Sequence, residues 1–232
     1  MILDDLKLLD IFNLEVAQKE KLLDYFRLVE SENKKFNLTA IKEESDFLVR
    51  HFYDSLAITK EIKFEQNQNI MDLGTGAGFP GIPLAIFYPE TNFYLVETTT
   101  KKCNFLEMVV DKLNLKNVTI LNSRCEELPA NYRDFFDFVV TRAVSELRII
   151  TELAIPFLKI NGKLIAYKGI NYEIEIENAK NTFKILNTSL LKVCPYELDL
   201  INQTRYFIMI KKNKETDIKY PRNYSLIVKK PL

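Results

Sequence analysis

The stretch Asp72-Leu-Gly74-Thr-Gly76-Ala-Gly78-Phe-Pro-Gly81 decides how this chain reads. The 232 residues include only six glycines, and four of them fall inside these ten positions. Glycine is the residue for positive φ and for close approach of backbone to a ligand, so a sequence that avoids it elsewhere builds a special backbone here. Before the loop, Ile70 to Leu73 is a short apolar run that reads as a strand; after it, Gly81 to Tyr88 starts a helix, with Pro83 in its first turn. Strand, glycine loop and helix in that order form the context in which such loops hold nucleotide-type ligands. A Walker loop is excluded, because Ile82 and Pro83 stand where Lys and Ser/Thr are required.

Two cofactor readings satisfy the loop. Gly76-x-Gly78-x-x-Gly81 matches the dinucleotide pattern, with Glu97 at the end of the next strand as the ribose acceptor. The same residues match the acidic-x-Gly-x-Gly-x-Gly form found in S-adenosylmethionine-dependent methyltransferases, with Asp72 as the acidic member. A carboxylate suits a sulfonium-bearing amino acid with an ammonium group and repels a pyrophosphate, which favours the methyl donor. Asp72, Gly74, Gly76 and Gly78 are therefore candidates for its site.

Outward from the loop, apolar runs alternate with helical patterns. Phe93 to Val96, Val118 to Leu121, Phe136 to Thr141 and Lys163 to Tyr167 read as strands, and Lys102 to Leu113 and Glu146 to Leu158 as helices. Such alternation predicts an α/β fold whose parallel sheet is covered on both faces. Leu190 to Val193 and Tyr206 to Ile210 read as a terminal antiparallel pair. Leu22, Phe26 and Val29 recur at helical spacing and make the N-terminal region a helical extension. The chain divides on this reading into an extension over 1–66, a sheet domain over 67–212 and a basic tail over 213–232. From Arg205 onward there are eight basic and two acidic residues, which suit either a solvated tail or contact with phosphates.

Composition narrows the classes. Thirty-two basic and thirty-two acidic residues cancel, which excludes a wholly basic nucleic-acid binder and leaves room for a local patch. Three scattered Cys without a C-x-x-C pair, beside one His, argue against structural zinc and against a disulfide scaffold. The longest uncharged run, between Asp72 and Glu90, holds four Gly and three Pro and makes no membrane helix. Asp4 and Asp5 stand where a signal peptide carries positive charge. A cytoplasmic monomer with no membrane partner is expected.

Further motifs appear in order: Asn33-Lys-Lys-Phe-Asn-Leu-Thr39, Arg50-His-Phe-Tyr-Asp-Ser-Leu56, Gly74-Thr-Gly-Ala-Gly-Phe-Pro-Gly-Ile-Pro-Leu84, Thr141-Arg-Ala-Val144, Lys168-Gly169, Tyr220-Pro-Arg222 and the closing Pro231-Leu232. As an ordered set spanning essentially the whole chain, they resemble the bacterial small-subunit ribosomal RNA guanine-N7 methyltransferases, the RsmG or GidB family. The resemblance implies a Rossmann-like class I methyltransferase sheet, S-adenosylmethionine as cofactor, and 16S ribosomal RNA of the small ribosomal subunit as partner. By position, it puts donor contacts on Gly74, Phe79, the pair Cys125-Glu126 and Arg142, with Arg142 also the candidate catalytic group and Glu97 the ribose acceptor. RNA contacts are expected from Lys34, Lys35, Arg50, Arg124, Lys168 and the tail. The chain departs from the family at Glu97-Thr98, where Asp-Ser is usual, at Lys101-Lys102, where Lys-Arg is usual, and at Asn223-Tyr-Ser-Leu-Ile-Val228, which replaces a Gly-rich tail.

Guanine N7 offers an in-plane lone pair and no proton, so in-line attack on a methyl group needs alignment and no general base. The absence of an obvious acid/base pair fits that chemistry. There is no Pro-Pro of the exocyclic-amine enzymes and no Pro-Cys of the cytosine-C5 enzymes. His51, at helical spacing from Phe47, Leu48 and Ser55, reads as a packed structural residue. A nicotinamide-dependent oxidoreductase and a nonenzymatic adenosylmethionine- or RNA-binding module are the competing functions. The first lacks a Tyr-x-x-x-Lys, and the only His lies in the N-terminal helices.

Overall fold

The computed structural model describes residues 3–35, 37–41 and 43–232, so Phe36 of the Asn33 to Thr39 motif lies outside the described residues. Seven strands form one sheet: β1 (Asn69–Leu73), β2 (Asn92–Glu97), β3 (Val118–Asn122), β4 (Phe136–Arg142), β5 (Leu158–Lys168), β6 (Thr188–Leu198) and β7 (Gln203–Lys212). Their order is β3-β2-β1-β4-β5-β7-β6. The first five are parallel; β7 runs antiparallel to β5, and β6 to β7. β1 is central, with Ile70 opposite Phe93 on one side and Phe138 on the other. The chain steps outward through β2 and β3 and returns past β1 to β4. The crevice at the carboxyl ends of β1 and β4 is thus the point where strand order reverses, and such sheets bind ligands there.

Side-chain alternation sorts the strands onto two layers. Ile70, Phe138, Val140, Ile165, Tyr167, Phe207 and Met209 share one core with α1 (Val16–Asn33) and the helices of the first crossover. Met71, Leu73, Val139, Leu164, Ala166, Ile208 and Ile210 face the other core. These runs are apolar on both faces because both faces are covered, as the sequence implies. Leu22, Tyr25, Phe26 and Val29 of α1 join Phe52, Ile82 and Leu106 in the first core, so the N-terminal extension and the sheet bury one apolar surface together.

A helical stretch follows α1: α2 (Glu44–Phe47), a π-type turn over Leu48–Tyr53 and α3 (Asp54–Leu56). A π-type turn carries an extra residue and re-aims the side chains after it. Between the strands come α4 (Gly81–Phe87), α5 (Thr100–Lys112), α6 (Leu147–Ala154) and α7 (Tyr172–Ile185). The helix expected over Glu146 to Leu158 ends earlier, as a 3₁₀ turn at Ile155–Phe157, and Leu158 already pairs with Phe136 in the sheet. α7 has only a weak apolar stripe in the sequence, since its buried residues are only Ala179, Thr182 and Phe183.

The C-terminal tail packs back on the domain. Arg222 reaches Glu152, which is fully buried, through Nε at 2.7 Å and Nη2 at 2.6 Å. Arg133 donates to the carbonyls of Tyr220 and Thr216, and Thr182 Oγ1 to that of Leu232. The tail ends in α8 (Tyr224–Lys229), capped by Asn223, with Ile227 fully buried. Lys212 is itself buried, donating to Asp134 at 2.6 Å and to the Leu158 carbonyl at 2.8 Å. The segment is therefore anchored at Tyr220, Arg222 and Ile227 while Lys214, Lys219, Lys229 and Lys230 stay exposed, and Lys212 offers no free charge. Among the described residues, no helix is long and apolar enough to cross a membrane.

Candidate active site

The glycine loop leaves β1 with positive φ at Gly74, Gly76 and Gly78. Two of these positions are constrained from opposite sides. A Cβ on Gly76 would meet nothing within 4 Å, so the loop leaves open space above it. A Cβ on Gly78 would stand 2.5 Å from the Tyr25 hydroxyl and 2.7 Å from Ile82. Tyr25, fully buried on α1, donates to the Ala77 carbonyl and holds the loop from behind. Gly78 accordingly shapes the loop from its packed side and stays outside the cavity wall described next.

Asp72 also differs from expectation. It shares strand parity with Ile70 and points under α4, away from the cavity. Its Oδ2 accepts from Thr75 Oγ1 at 2.6 Å and from the Gly81 N–H at 2.8 Å, while Oδ1 has no partner. Burial raises its pKa to about 6. Asp72 ties the loop to the start of α4 and does not line the space a donor's ammonium group would occupy.

That space is an open cavity of about 460 Å³. Its wall brings together Gly74, Gly76, Phe79, Glu97, Cys125, Glu126 and Arg142, from loops spread over about seventy residues. Glu97, at the end of β2, accepts from the N–H groups of Thr98 and Thr99, both at 2.8 Å, and from Gly76 at 3.1 Å. A carboxylate has about four lone-pair sites, so Glu97 is held rigidly and keeps capacity for a further donor from the cavity. Cys125 is buried, its Sγ donating to the Leu153 carbonyl at 3.3 Å, and burial pushes its thiol far up, which removes it as a nucleophile.

Glu126 Oε1 accepts the backbone N–H of Tyr224 at 3.2 Å. Tyr224 lines the same cavity, and the Arg124 guanidinium lies 5.7 Å from its ring centroid. The tail thus reaches the site, although nothing in its local pattern announces this.

The other end of the cavity is built on Asp54, which is fully buried in α3. Its Oδ2 accepts from Arg142 at 2.7 Å and from Arg205 at 2.8 Å, and its Oδ1 from the Tyr196 hydroxyl at 2.6 Å. Arg142 also donates to the Arg50 carbonyl at 2.9 Å and to His51 Nδ1 at 3.2 Å. His51 stacks on Phe79 with centroids 4.2 Å apart, and its Nε2 lies 2.8 Å from Thr39 Oγ1. Burial first, then the charges of Arg142 and Arg205, push the His51 pKa down to about 2, so the ring is neutral. Asn33 fastens the loop that carries Thr39: its Oδ1 accepts from the N–H groups of Leu38 and Thr39, and its Nδ2 donates to the Thr39 carbonyl. Thr39, His51 and Leu38 all belong to the cavity wall. Asp54 and Thr39 were not singled out in the sequence; their only signal was membership of the motifs around Asn33 and Arg50.

The expected RNA contacts scatter. Lys34 and Lys35 are exposed, and Lys35 pairs with Glu32. Arg50 is half-buried, 3.4 Å from Asp46. Lys168 is only 11% exposed and is held at 2.6 Å by both Glu175 and the Ser145 carbonyl. Its charge is therefore used inside the fold, bracing the loop after β4, and is corrected from an RNA contact to an internal one.

A reversed seventh strand on a parallel sheet, and a glycine cradle facing a carboxylate across the switch point, define the class: this is the fold of the class I S-adenosylmethionine-dependent methyltransferases. Solved structures agree at the level of fold. A SAM-dependent methyltransferase from Aquifex aeolicus aligns at a TM-score of 0.55 and 19% identity, covering 78% of this chain and 97% of that one. TYW2 from M. jannaschii, in complex with AdoMet, aligns at 0.53 and 18% identity, covering 71% and 77%. Sequence relatives are more particular. The chain is 43% identical over 213 residues to the ribosomal RNA small subunit methyltransferase G of Fusobacterium nucleatum, covering 92% of this chain and 91% of that protein. It is 44% identical over 211 residues to the protein so named in Mesoplasma florum, covering 91% and 88%. The GidB family model, described as rRNA small subunit methyltransferase G, matches residues 18–200, and the chain belongs to this family.

Proposed function

We propose that the protein transfers a methyl group from S-adenosylmethionine to N7 of a guanine in 16S ribosomal RNA of the small subunit, acting in the cytoplasm as a monomer. The donor supplies an electrophilic methyl on a sulfonium. The cavity suits it: Gly76 leaves open space for a ligand to lie on the backbone, Gly74 lines the same wall with its other side against Val144, Glu97 keeps acceptor capacity for a ribose hydroxyl, and Cys125-Glu126 border the side where a base would sit.

The observation that carries the reading is a cofactor-sized cavity in whose described wall the histidine and the cysteine are both withdrawn from proton transfer. His51 has both ring nitrogens engaged and stays neutral, Cys125 is locked as a thiol, and Glu97 is held by three N–H groups. An acceptor bearing a proton would need a base of this kind beside the methyl group, and the remaining wall carboxylate, Glu126, is tied to the Tyr224 N–H on the side assigned to the donor's base. N7 bears no proton: its lone pair forms the N–C bond, the C–S pair leaves with sulfur, and the positive charge passes to the purine. Arg142, clamped by Asp54 and lying 5.5 Å over Phe79, fixes the wall against which the reactants are aligned. Lys34, Lys35 and Arg50 flank this end and supply charge for the RNA backbone.

The test is to incubate the protein with labelled S-adenosylmethionine and small subunits lacking the modification, then map the labelled nucleotide. Label on guanine N7 of 16S RNA is expected. Label on an exocyclic amine or ribose, or NADH binding without S-adenosylmethionine binding, would refute the proposal.

A further inference from the structure

The hydrogen bonds beside Arg142 have a direction. A guanidinium only donates, so the Arg142 Nη2 contact makes His51 Nδ1 an acceptor. The ring is neutral, so its proton sits on Nε2 and is donated to Thr39 Oγ1 at 2.8 Å. The Ile41 N–H donates to the same oxygen at 3.1 Å. A hydroxyl has two acceptor positions and one proton. Both acceptor positions of Thr39 are filled from inside the protein, and among the described residues its own proton has no acceptor. Thr39 stands in the cavity wall beside His51 and Phe79. The relay therefore presents the cavity with a hydroxyl that can donate and cannot accept.

We propose that Thr39 selects guanine by donating its hydroxyl proton to O6, the acceptor next to the N7 that is methylated. This rests on the guanine-N7 reading above. The edge of guanine that carries N7 shows two adjacent acceptors, N7 and O6, whereas adenine shows N7 beside an amino donor. A donor-only hydroxyl completes the first pattern and opposes the second. A rotatable, uncommitted hydroxyl would accept from adenine equally well, so selectivity here comes from Arg142 and Ile41 closing that option. Arg142 thus acts on specificity through His51 without touching the base.

The experiment replaces the target guanosine by 2-aminopurine ribonucleoside, which lacks O6, or by inosine, which keeps O6 and lacks the 2-amino group. Each is offered to the wild type, Thr39→Val and Thr39→Ser at saturating S-adenosylmethionine. The wild type should lose about tenfold in rate with 2-aminopurine, the scale of one hydrogen bond. Thr39→Val should lose about tenfold with guanine and inosine alike, and no more with 2-aminopurine than with guanine; Thr39→Ser should restore the guanine rate. Donor affinity should be equal in all three proteins. A full wild-type rate on 2-aminopurine overturns the assignment without any variant. Losses that multiply when both changes are made assign Thr39 a structural role instead. Weaker donor binding in Thr39→Val with an unchanged saturated rate places the hydroxyl on the donor. If the wild type leaves guanine N7 unmethylated, the functional reading falls as well, whereas normal wild-type methylation with multiplied losses overturns only the Thr39 assignment.

Discussion

His51 stays neutral next to two arginines, and that makes stability depend on pH in a way one substitution can isolate. The free imidazole titrates near 6.5, while in the folded protein burial, Arg142 and Arg205 push it down to about 2. Below pH 6.5 the unfolded chain binds a proton that the folded chain refuses, so stability falls as pH falls. The slope reaches about 1.4 kcal/mol per pH unit, and between pH 7 and pH 5 the loss from this residue is about 2 kcal/mol. His51→Gln removes the titration and keeps one acceptor and one donor near Arg142 and Thr39. Urea unfolding of both proteins at pH 5, 6, 7 and 8 gives the difference curve, from which titrations common to both cancel. The curve should be flat above pH 7 and should move by about 2 kcal/mol in favour of the variant by pH 5. Parallel profiles would show that His51 is protonated without penalty in the folded state. The fixed donor polarity assigned to Thr39 would fall with them.

Asp72 should behave with the opposite sign. Its pKa is raised to about 6 from the ordinary 3.8, so the folded state holds the proton more tightly and ionisation destabilises it. Relative to Asp72→Asn, the wild type should lose up to about 3 kcal/mol between pH 4 and pH 7, read by the same unfolding series. Arg222→Met leaves the fully buried Glu152 without its partner and should cost about 3 kcal/mol in urea melts, with Glu152→Gln recovering part of the loss when the two are combined. Glu97→Ala should weaken S-adenosylmethionine binding at least tenfold by calorimetry while unfolding stays cooperative, because Glu97 organises the Gly76 and Thr98–Thr99 backbone as well as the proposed ribose contact. An unchanged dissociation constant would remove it from the donor site.

What the sequence determined alone was local. Continuous apolar runs, glycine spacing and helical periodicity report the surroundings of a segment within a few residues of itself. The central strands, the glycine loop, α4 and α5, and the antiparallel end of the sheet were therefore legible, whereas Phe79, Cys125, Glu126 and Arg142 were marked for the cavity only by the family resemblance. Asp72 misled because its carboxylate was read by proximity to the glycines. Strand parity sends it under α4 with Ile70, and only the packed helix shows that direction to be closed. Arg222 and Lys212 misled because a basic stretch looks solvated until the acids it meets, Glu152 and Asp134, are brought up by the fold. Asp54, Arg142, His51 and Thr39 each fall in a motif, but nothing local showed that they form one relay. Asp54 lies 88 residues from Arg142, 142 from Tyr196 and 151 from Arg205, and only the tertiary structure brings them together. Burying a charge demands partners but leaves their place in the chain unspecified, so periodicity can mark a position as buried, and only the assembled fold decides what satisfies it.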